Sequence, residues 1–256
     1  MKHEVIIDRE KCVGCGLCVK DCVSFDIEIK DEKASSLNRG CIACGHCEAI
    51  CPQGAVKLTG FEDTVEEFDK QTRLNPDELL MAIKTRRSIR VFKEDKIPNE
   101  DIDMILEAGR LAPTAANRQT ISYAVLEEKI NECEAIATTK ARKLINAGKK
   151  VIPMLSTLNF DEHFFFKKAP VAIVIFSNDK ISASLAAENM AFMAEAKGLG
   201  VLYSGFFTGY VNMSKKIRKI IGVDKKEKAV TTLVIGYPDV EYKRTAHREP
   251  LKVTRA

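Results

Sequence analysis

The chain has 256 residues, of which 45% are apolar and 30% are charged, and its formal net charge is +4. This length fits one large domain, or an ordinary domain beside a small one, and the composition is that of a globular protein. The apolar run at 171–176 is far too short to cross a bilayer and the N-terminus has no signal-peptide pattern, so we expect a cytoplasmic protein without membrane contact. Basic residues are scattered and not interleaved with aromatics, which argues against nucleic-acid binding.

The cysteines are concentrated at the start of the chain. Nine are present, and eight of them precede residue 52. In a reducing cytoplasm such crowding favours metal ligation over disulfides. The ninth, Cys133, stands apart, and we interpret it as a small buried apolar residue rather than a reactive thiol.

The eight early cysteines form an internal repeat with a shift of 29 positions, each half reading C-x2-C-x2-C-x3-C. Three thiolates two residues apart can wrap one face of a [4Fe–4S] cubane, and the fourth then reaches the other cluster. Gly14, Gly16 and Gly45 let backbone N–H groups approach the sulfurs. The predicted ligands of the first cluster are Cys12, Cys15, Cys18 and Cys51, and those of the second are Cys41, Cys44, Cys47 and Cys22.

Structural zinc is the alternative for these cysteines, but it usually needs only two C-x2-C pairs per ion, and two matched sets of four favour clusters. Residues 1–60 resemble bacterial two-cluster ferredoxins. Val23 departs from that family, which usually has proline after the fourth cysteine. His46 lies inside the second loop, and we interpret it as a surface residue or a modest modulator of cluster potential, not a ligand.

A linker is predicted at residues 61–75, which are acidic and lack apolar periodicity. The second domain, residues 76–256, begins with a helix that has Asn75 as its N-cap and Pro76 at its first position. Further elements follow in alternation, which predicts an α/β or α+β domain. They are helices beginning at 99 and spanning 184–197, and strands at 121–126, 171–176, 201–203 and 230–235.

A basic run follows the first helix of this domain and contains Arg86, Arg87, Ser88 and Arg90. Arginine forks bind phosphate oxygens bidentately, and a serine hydroxyl adds a further hydrogen bond, so the run suits a terminal phosphate. The alternative is that these bases only complement the macrodipole at the C-terminus of the preceding helix.

Four pieces of the second domain, taken in order, resemble the nitroreductase family of FMN-dependent enzymes. They are RRSIRVF at 86–92, APTAANRQ at 112–119, AENM at 187–190 and GLG at 198–200. The resemblance runs from about residue 75 to residue 250, and a ferredoxin module ahead of such a domain recurs in that family. It implies an α+β protein, in which a small ferredoxin-like two-cluster domain precedes an α/β nitroreductase-like FMN-binding domain.

The resemblance also implies which residues bind the FMN phosphate. These are Arg86, Ser88 and Arg90, with Arg87 contributing through its backbone or side chain, and Arg248 near the C-terminus. Alanine and histidine at 246–247 stand where a lysine often accompanies that arginine, so phosphate binding from this end is expected to be weaker.

The rest of the flavin is assigned by the same resemblance. Asn117 and Gln119 are expected to hydrogen-bond the ribityl chain and the ring edge, and the backbone amides of Ser204 and Gly205 to lie against the redox edge. Thr-Ile at 120–121 replaces the usual Pro-Trp, which alters the wall of the substrate pocket.

The family forms obligate homodimers with FMN at the subunit interface. The nearly all-apolar helix at 184–197 is predicted to be buried, either in its own core or against a second subunit, and is consistent with a homodimer. Residues 150–166, including Pro153, Met154 and Phe160, correspond to a region that overhangs the flavin and selects substrate, with ordinary core filling as the alternative. His163 could donate a proton there, or be simply a packed or exposed side chain.

Flavin accepts electrons singly and delivers two as hydride, whereas each cluster passes one. We therefore expect an oxidoreductase that passes electrons from two [4Fe–4S] clusters to FMN and on to a nitroaromatic, a quinone or a similar conjugated acceptor, with no separate catalytic side chain. The alternatives are reductive dehalogenation, reduction of an activated double bond, and an electron relay serving a partner protein. The expected donor is a reduced ferredoxin or flavodoxin, or NAD(P)H, although no G-x-G-x-x-G fingerprint is present.

Overall fold

The structure is a computed structural model that describes residues 3–68, 74–148, 161–224 and 226–255. The chain divides into two compact units. The first comprises residues 1–73 together with the short segment 114–118, and the second comprises residues 74–113 and 119–256. None of the helices described is long and apolar enough to span a bilayer.

The first unit is built from two antiparallel strand pairs and two short helices. Its core consists of small and branched apolar residues, among them Val5, Ile27, Ala34 and Val56. In the sheets β1 pairs with β4, and β2 pairs with β3. The elements are β1 (Val5–Ile7), α1 (Leu17–Asp21), β2 (Ile27–Lys30), β3 (Lys33–Ser36), α2 (His46–Ala49) and β4 (Val56–Leu58).

Equivalent glycines begin the two helices of this unit. Gly16 precedes α1 with φ of 73°, and Gly45 precedes α2 with φ of 75°. Both angles lie in the left-handed region, which glycine adopts at no steric cost because it has no Cβ. The chain can therefore turn from each cysteine loop directly into a helix, and the predicted repeat has the same backbone in both halves.

The second unit contains a four-stranded antiparallel sheet with the strand order β5-β6-β8-β7. All six residues of β6 are buried, as predicted from its uninterrupted apolar sequence, because helices cover both faces. The strands are β5 (Ser122–Leu126), β6 (Val171–Phe176), β7 (Gly200–Tyr203) and β8 (Ala229–Gly236). The helices are α3 (Pro76–Thr85), α4 (Asn99–Arg110), α5 (Ile130–Gly148), α6 (Lys180–Ala196), α7 (Gly205–Met213) and α8 (Lys215–Ile220).

Alternate residues of β6 belong to two apolar cores. Ala172 and Val174 pack with residues of α5, α7 and α8, whereas Ile173 and Ile175 pack with residues of α4 and α6. Helix α3 has no buried residue, and Leu79, Leu80, Met81 and Ile83 are each at least 40% exposed.

The helix boundaries test the capping signals. Asn75 accepts hydrogen bonds from the backbone amides of Asp77 and Glu78, so its predicted N-cap role is confirmed. The predicted start of α6 at 184 is wrong by four residues, because Asp179 caps the helix through the amides of Ile181 and Ser182. Among the described residues, three helices of the second unit, α5, α7 and α8, were not predicted from the sequence, and neither were the short helices α1 and α2 of the first unit.

The segment that follows α3 lies along β7. Ile89 N–H donates to the Val201 carbonyl at 3.0 Å, and Ser88 forms a parallel bridge with Val201. A Cβ at Gly200 would lie 2.9 Å from Ile89 Cβ. The absence of a side chain at Gly200 therefore permits this close approach.

Replacing Gly200 with Ala should lower the free energy of unfolding by about 1–3 kcal/mol, because the added methyl group overpacks the buried Ile89 side chain. Urea titration measures the change. Gly209→Ala is the matched control: a Cβ there meets no atom within 4 Å, and alanine has the higher helix propensity, so α7 should be as stable or slightly more stable. Equal stability of the two variants would contradict the close packing of segment 86–92 on β7.

Candidate functional site

The eight early cysteines surround two cavities within the first unit. Each cavity takes three cysteines from one loop and the fourth from the other half of the repeat. The first cavity is lined by Cys12, Cys15, Cys18 and Cys51. The second cavity is lined by Cys22, Cys41, Cys44 and Cys47.

Backbone amides point at the sulfur atoms. Cys12 Sγ accepts from Ala34 N–H at 3.4 Å, and Cys41 Sγ accepts from Ala43 N–H at 3.3 Å. The amides of Ala34 and Gly14 lower the pKa of Cys12, whereas burial raises the pKa of Cys47 to about 11. Hydrogen bonds to sulfur stabilise a ligand's negative charge and are one of the means by which proteins set cluster potentials.

The donor set fits an iron–sulfur cluster. Four thiolates per cavity match the Cys₄ ligation of [4Fe–4S], and the crossing of the fourth cysteine matches the two-cluster pattern. Within the described ranges, no three His, Cys, Asp or Glu side chains converge so as to hold a single ion. His46 is a surface residue that pairs with Asp21 at 3.2 Å, from Nδ1 to Oδ2.

The basic run of the second unit begins where helix α3 ends. Arg86 is the C-cap of α3 with extended backbone angles, and the base in the last helical turn is Lys84. Ile89 and Phe92 are buried, while Arg90 is exposed. The run is therefore an extended segment, and complementing the α3 macrodipole does not account for its position.

Arg86 forms an ion pair with Glu188, and no sequence pattern predicted this contact. Its Nε lies 3.4 Å from Glu188 Oε1, and Tyr203 O–H donates to Glu188 Oε2 at 2.8 Å. Burial is the main cause that raises the pKa of Tyr203, and the hydrogen bond to Glu188 raises it further. Burial also raises the pKa of Glu195, against the opposing effect of Arg86. Arg86 meets Glu188 through Nε, and the two terminal nitrogens of its guanidinium form the fork with which arginine binds a phosphate.

The C-terminal segment reaches the same run. The Arg87 guanidinium lies 5.0 Å from the centroid of the Tyr242 ring. Arg248 is exposed, and its Nη1 donates to the neighbouring His247 carbonyl at 3.1 Å. The structure thus brings Tyr242, rather than Arg248, into contact with the arginines.

The backbone amides of Ser204 and Gly205, both predicted at the redox edge of the flavin, differ in whether they already have a hydrogen-bond acceptor. Ser204 N–H donates to the Thr232 carbonyl at 2.8 Å, and the Ser204 hydroxyl donates to the Phe165 carbonyl at 3.2 Å. The Ser204 amide is thus already bonded to β8, and its predicted position against the redox edge of a flavin stays a prediction. Gly205 is the first residue of α7, and the amides of a first helical turn have no acceptor inside the helix.

Asn117 and Gln119, the predicted ribityl-binding residues, belong to different units of the chain. Asn117 belongs to the first unit, at the end of a 3₁₀ turn spanning Ala115–Asn117, and its Nδ2 donates to the Ala43 carbonyl at 2.7 Å. Gln119 belongs to the second unit and lines a shallow cavity with Thr120 and Ser122. The residues assigned to FMN are thus divided between the two units.

The predicted overhanging region is described only in part, since Pro153, Met154 and Phe160 lie outside the described residues. Phe165 and Phe166 are core residues, and their amides donate to Glu134 Oε1 at 2.9 and 2.8 Å. His163 Nδ1 lies 3.5 Å from Glu134 Oε2, and burial raises the pKa of Glu134.

Two side chains in this region bear on the sequence interpretation. Glu134 is buried inside an otherwise ordinary helical sequence, and no sequence pattern pointed to it. Cys133 is fully buried and burial raises its pKa to about 11, so its interpretation as a buried apolar residue is confirmed.

Two family models match the chain. Residues 83–237 match the nitroreductase family, and residues 4–52 match the 4Fe-4S dicluster domain.

Three known proteins illustrate the similarity. A putative NADH dehydrogenase/NAD(P)H nitroreductase of Archaeoglobus fulgidus is 29% identical over 170 residues, which cover 64% of this chain and 88% of that protein. The iodotyrosine deiodinase of Hydra vulgaris is 24% identical over 183 residues, covering 63% and 65%. The structure of an FMN-dependent nitroreductase from Clostridium difficile shares the fold, with a TM-score of 0.57, 18% identity, and coverage of 71% and 100%.

Proposed function

The chain belongs to the nitroreductase family, and we propose that it transfers electrons from two [4Fe–4S] clusters through FMN to a nitroaromatic, a quinone or a similar conjugated acceptor. Family membership makes it an FMN-dependent oxidoreductase. The observation that carries the electron path is the presence, in one chain with that domain, of eight cysteines arranged as two sets of four. When bound, FMN accepts electrons singly and delivers a hydride, which suits a supply from one-electron clusters.

The phosphate end of FMN is assigned to Arg86, Ser88 and Arg90, with Arg87 and Arg248 contributing. Glu188 supports this assignment, because it holds Arg86 through Nε and leaves the two terminal nitrogens for a phosphate. The redox edge is assigned to the backbone of Ser204 and Gly205, and of these two amides the one in the first turn of α7, that of Gly205, is the donor we propose. The residues assigned to the ribityl chain and ring edge remain Asn117 and Gln119.

A second copy of the chain is part of the proposal. The apolar side chains of α3, Leu79, Leu80, Met81 and Ile83, are exposed in a single chain, and exposed apolar surface of this kind is typical of protein interfaces. The proposed electron donor is a reduced ferredoxin or flavodoxin, or NAD(P)H.

A second candidate reaction is reductive dehalogenation on the same flavin. It is supported by the similarity to the iodotyrosine deiodinase of Hydra vulgaris, whose name states that activity. Anaerobic turnover with nitroaromatic, quinone and halogenated aromatic acceptors separates the two reactions. Reduction of an activated double bond belongs in the same panel, and failure of every acceptor would favour an electron relay to a partner protein.

Protein purified without oxygen should contain about eight iron atoms and about one FMN per chain, because each cavity supplies the four thiolates of one cluster. Iron, acid-labile sulfide and extracted flavin measure this directly. Zinc in place of iron, or a protein that cannot be reconstituted with FMN, would contradict the proposal.

Arg86→Ala should weaken FMN binding by about 1.5–3 kcal/mol, roughly ten- to a hundredfold, because it removes a charge-assisted contact to phosphate. Quenching of flavin fluorescence on titration into the apoprotein measures the dissociation constant. Arg110→Ala is the matched control, since Arg110 forms an exposed ion pair with Glu107 on α4. Unchanged FMN affinity in Arg86→Ala would show that the phosphate binds elsewhere, and iron content should be normal in both variants.

Cys15→Ala and Cys44→Ala should each slow the bleaching of flavin absorbance by a reduced ferredoxin in stopped-flow experiments, because each removes a ligand of a different cluster. Both side chains are exposed, so their loss leaves no core cavity. Reduction by dithionite, a small donor that needs no docking site, should keep its wild-type rate and serves as the control. If both variants bleached with ferredoxin as fast as the wild type, the clusters would not feed the flavin.

A further inference from the structure

The repeat places different side chains at one pair of equivalent positions beside the cysteines. Asp26 and Ala55 are related by the shift of 29 residues. Asp26 N–H donates to Cys22 Sγ at 3.4 Å, and Ala55 N–H donates to Cys51 Sγ at 3.3 Å. The backbone therefore serves the fourth cysteine of each half in the same way, while the side chain is a carboxylate in one half and a methyl group in the other.

The Asp26 carboxylate is fixed inside the protein. The residue is only 3% exposed, and Oδ1 accepts from Arg39 N–H at 2.7 Å and from Gly40 N–H at 3.1 Å. Oδ2 is also buried, and it has no hydrogen-bond partner among the described residues. A negative charge held in this way is weakly screened by water, so its field reaches neighbouring groups more strongly than that of a surface charge.

This carboxylate lines the second cavity, the one surrounded by Cys22, Cys41, Cys44 and Cys47. The lining of the first cavity contains no acidic residue. A base lies beside the first cavity instead, where Lys33 Nζ donates to the Cys12 carbonyl at 2.5 Å. Among the other charges near the second cavity, His46 and Asp21 are surface groups open to solvent screening, whereas Glu48 is partly buried, accepts from Leu58 N–H at 3.0 Å and adds to the negative charge on this side.

Reduction adds one electron to a cluster without forming or breaking a bond, so a nearby negative charge disfavours it and a positive charge favours it. The potential of a cluster depends on net charge, hydrogen bonds to sulfur and solvent exposure. Because the amide bonds to Cys22 and Cys51 are equivalent, they cannot distinguish the two sites, whereas the charges of Asp26 and Lys33 act in opposite directions at them.

We propose that Asp26 and Lys33 give the two clusters unequal reduction potentials, with the second cluster the harder to reduce. The inference rests on the proposed function in requiring both clusters to be present. An electron supplied by a low-potential donor then settles on the first cluster, and the second is the stronger reductant. Asn117 donates to the carbonyl of Ala43, and Ala43 lies in the cysteine loop of the second cluster.

The test is a redox titration of the full-length holoprotein at fixed pH, followed by electron paramagnetic resonance. The wild type should show two separate one-electron waves. Asp26→Asn should move the lower wave upward by on the order of tenfold in the reduction equilibrium, equivalent to about 59 mV, and leave the upper wave in place. Cys44→Ala, which lacks a ligand of the second cluster, should retain only the upper wave and thereby assigns the two.

Lys33→Met provides an independent variant should Asp26→Asn fail to fold with its clusters. It removes the positive charge while keeping a long side chain, and it should move the upper wave downward. Coincident wild-type waves, an unmoved lower wave in Asp26→Asn, or an unmoved upper wave in Lys33→Met would each overturn the inference. These outcomes leave the proposed function intact, since that fails instead on iron content or on electron transfer to the flavin.

Discussion

The complete burial of β6 governs the arrangement of the second unit. A strand that is apolar at every position must be covered on both faces, so one layer of α5, α7 and α8 and another of α4 and α6 are needed. With both faces closed, functional groups can collect only at strand ends and edges. Strand β7 provides that edge: segment 86–92 lies along it, and its end leads directly into the first turn of α7.

The polar groups at this edge are ordered by one another rather than by any ligand. Glu188 uses one carboxylate oxygen for Arg86 and the other for Tyr203, so neither the acid nor the base is left buried without a partner. This pairing orients the Arg86 guanidinium, and a group that is already oriented loses less entropy when it binds a ligand. In the phosphate site that we propose, the acidic side chain from α6 would therefore preorganise the arginine.

Features that depend on residues close together in the sequence could be predicted, whereas features that depend on tertiary contacts could not. The cysteine sets, the Asn75 cap and the buried strand are local patterns, and the structure has them where the sequence puts them. The bond from the Ser204 amide to Thr232 could not be predicted, because Thr232 is 28 positions away and is known as a partner only once the sheet is paired. Helix α5 was missed because its buried face consists largely of the small residues Cys133, Ala137 and Ala141, which give a weak apolar signal although they recur at helical spacing. The role of Glu188 depends on a tertiary contact with Arg86.

The first unit adds a different constraint, which comes from duplication. Two halves with the same backbone provide each fourth cysteine with the same amide bond, so neither geometry nor hydrogen bonding to that sulfur can make the cavities unlike. Cys12 Sγ does accept a further amide bond, from Ala34 outside the repeat, and the side chains add a second asymmetry, for which a buried charge is the strongest effect available over a few ångströms. Asp26 opposite Ala55 is such a substitution, and burying a carboxylate with one oxygen unpaired is costly for folding. Oδ1 orders the turn before Cys41 through the amides of Arg39 and Gly40, and an asparagine would accept the same two bonds. The negative charge itself is therefore the feature to which we attribute the potential of the nearby cluster.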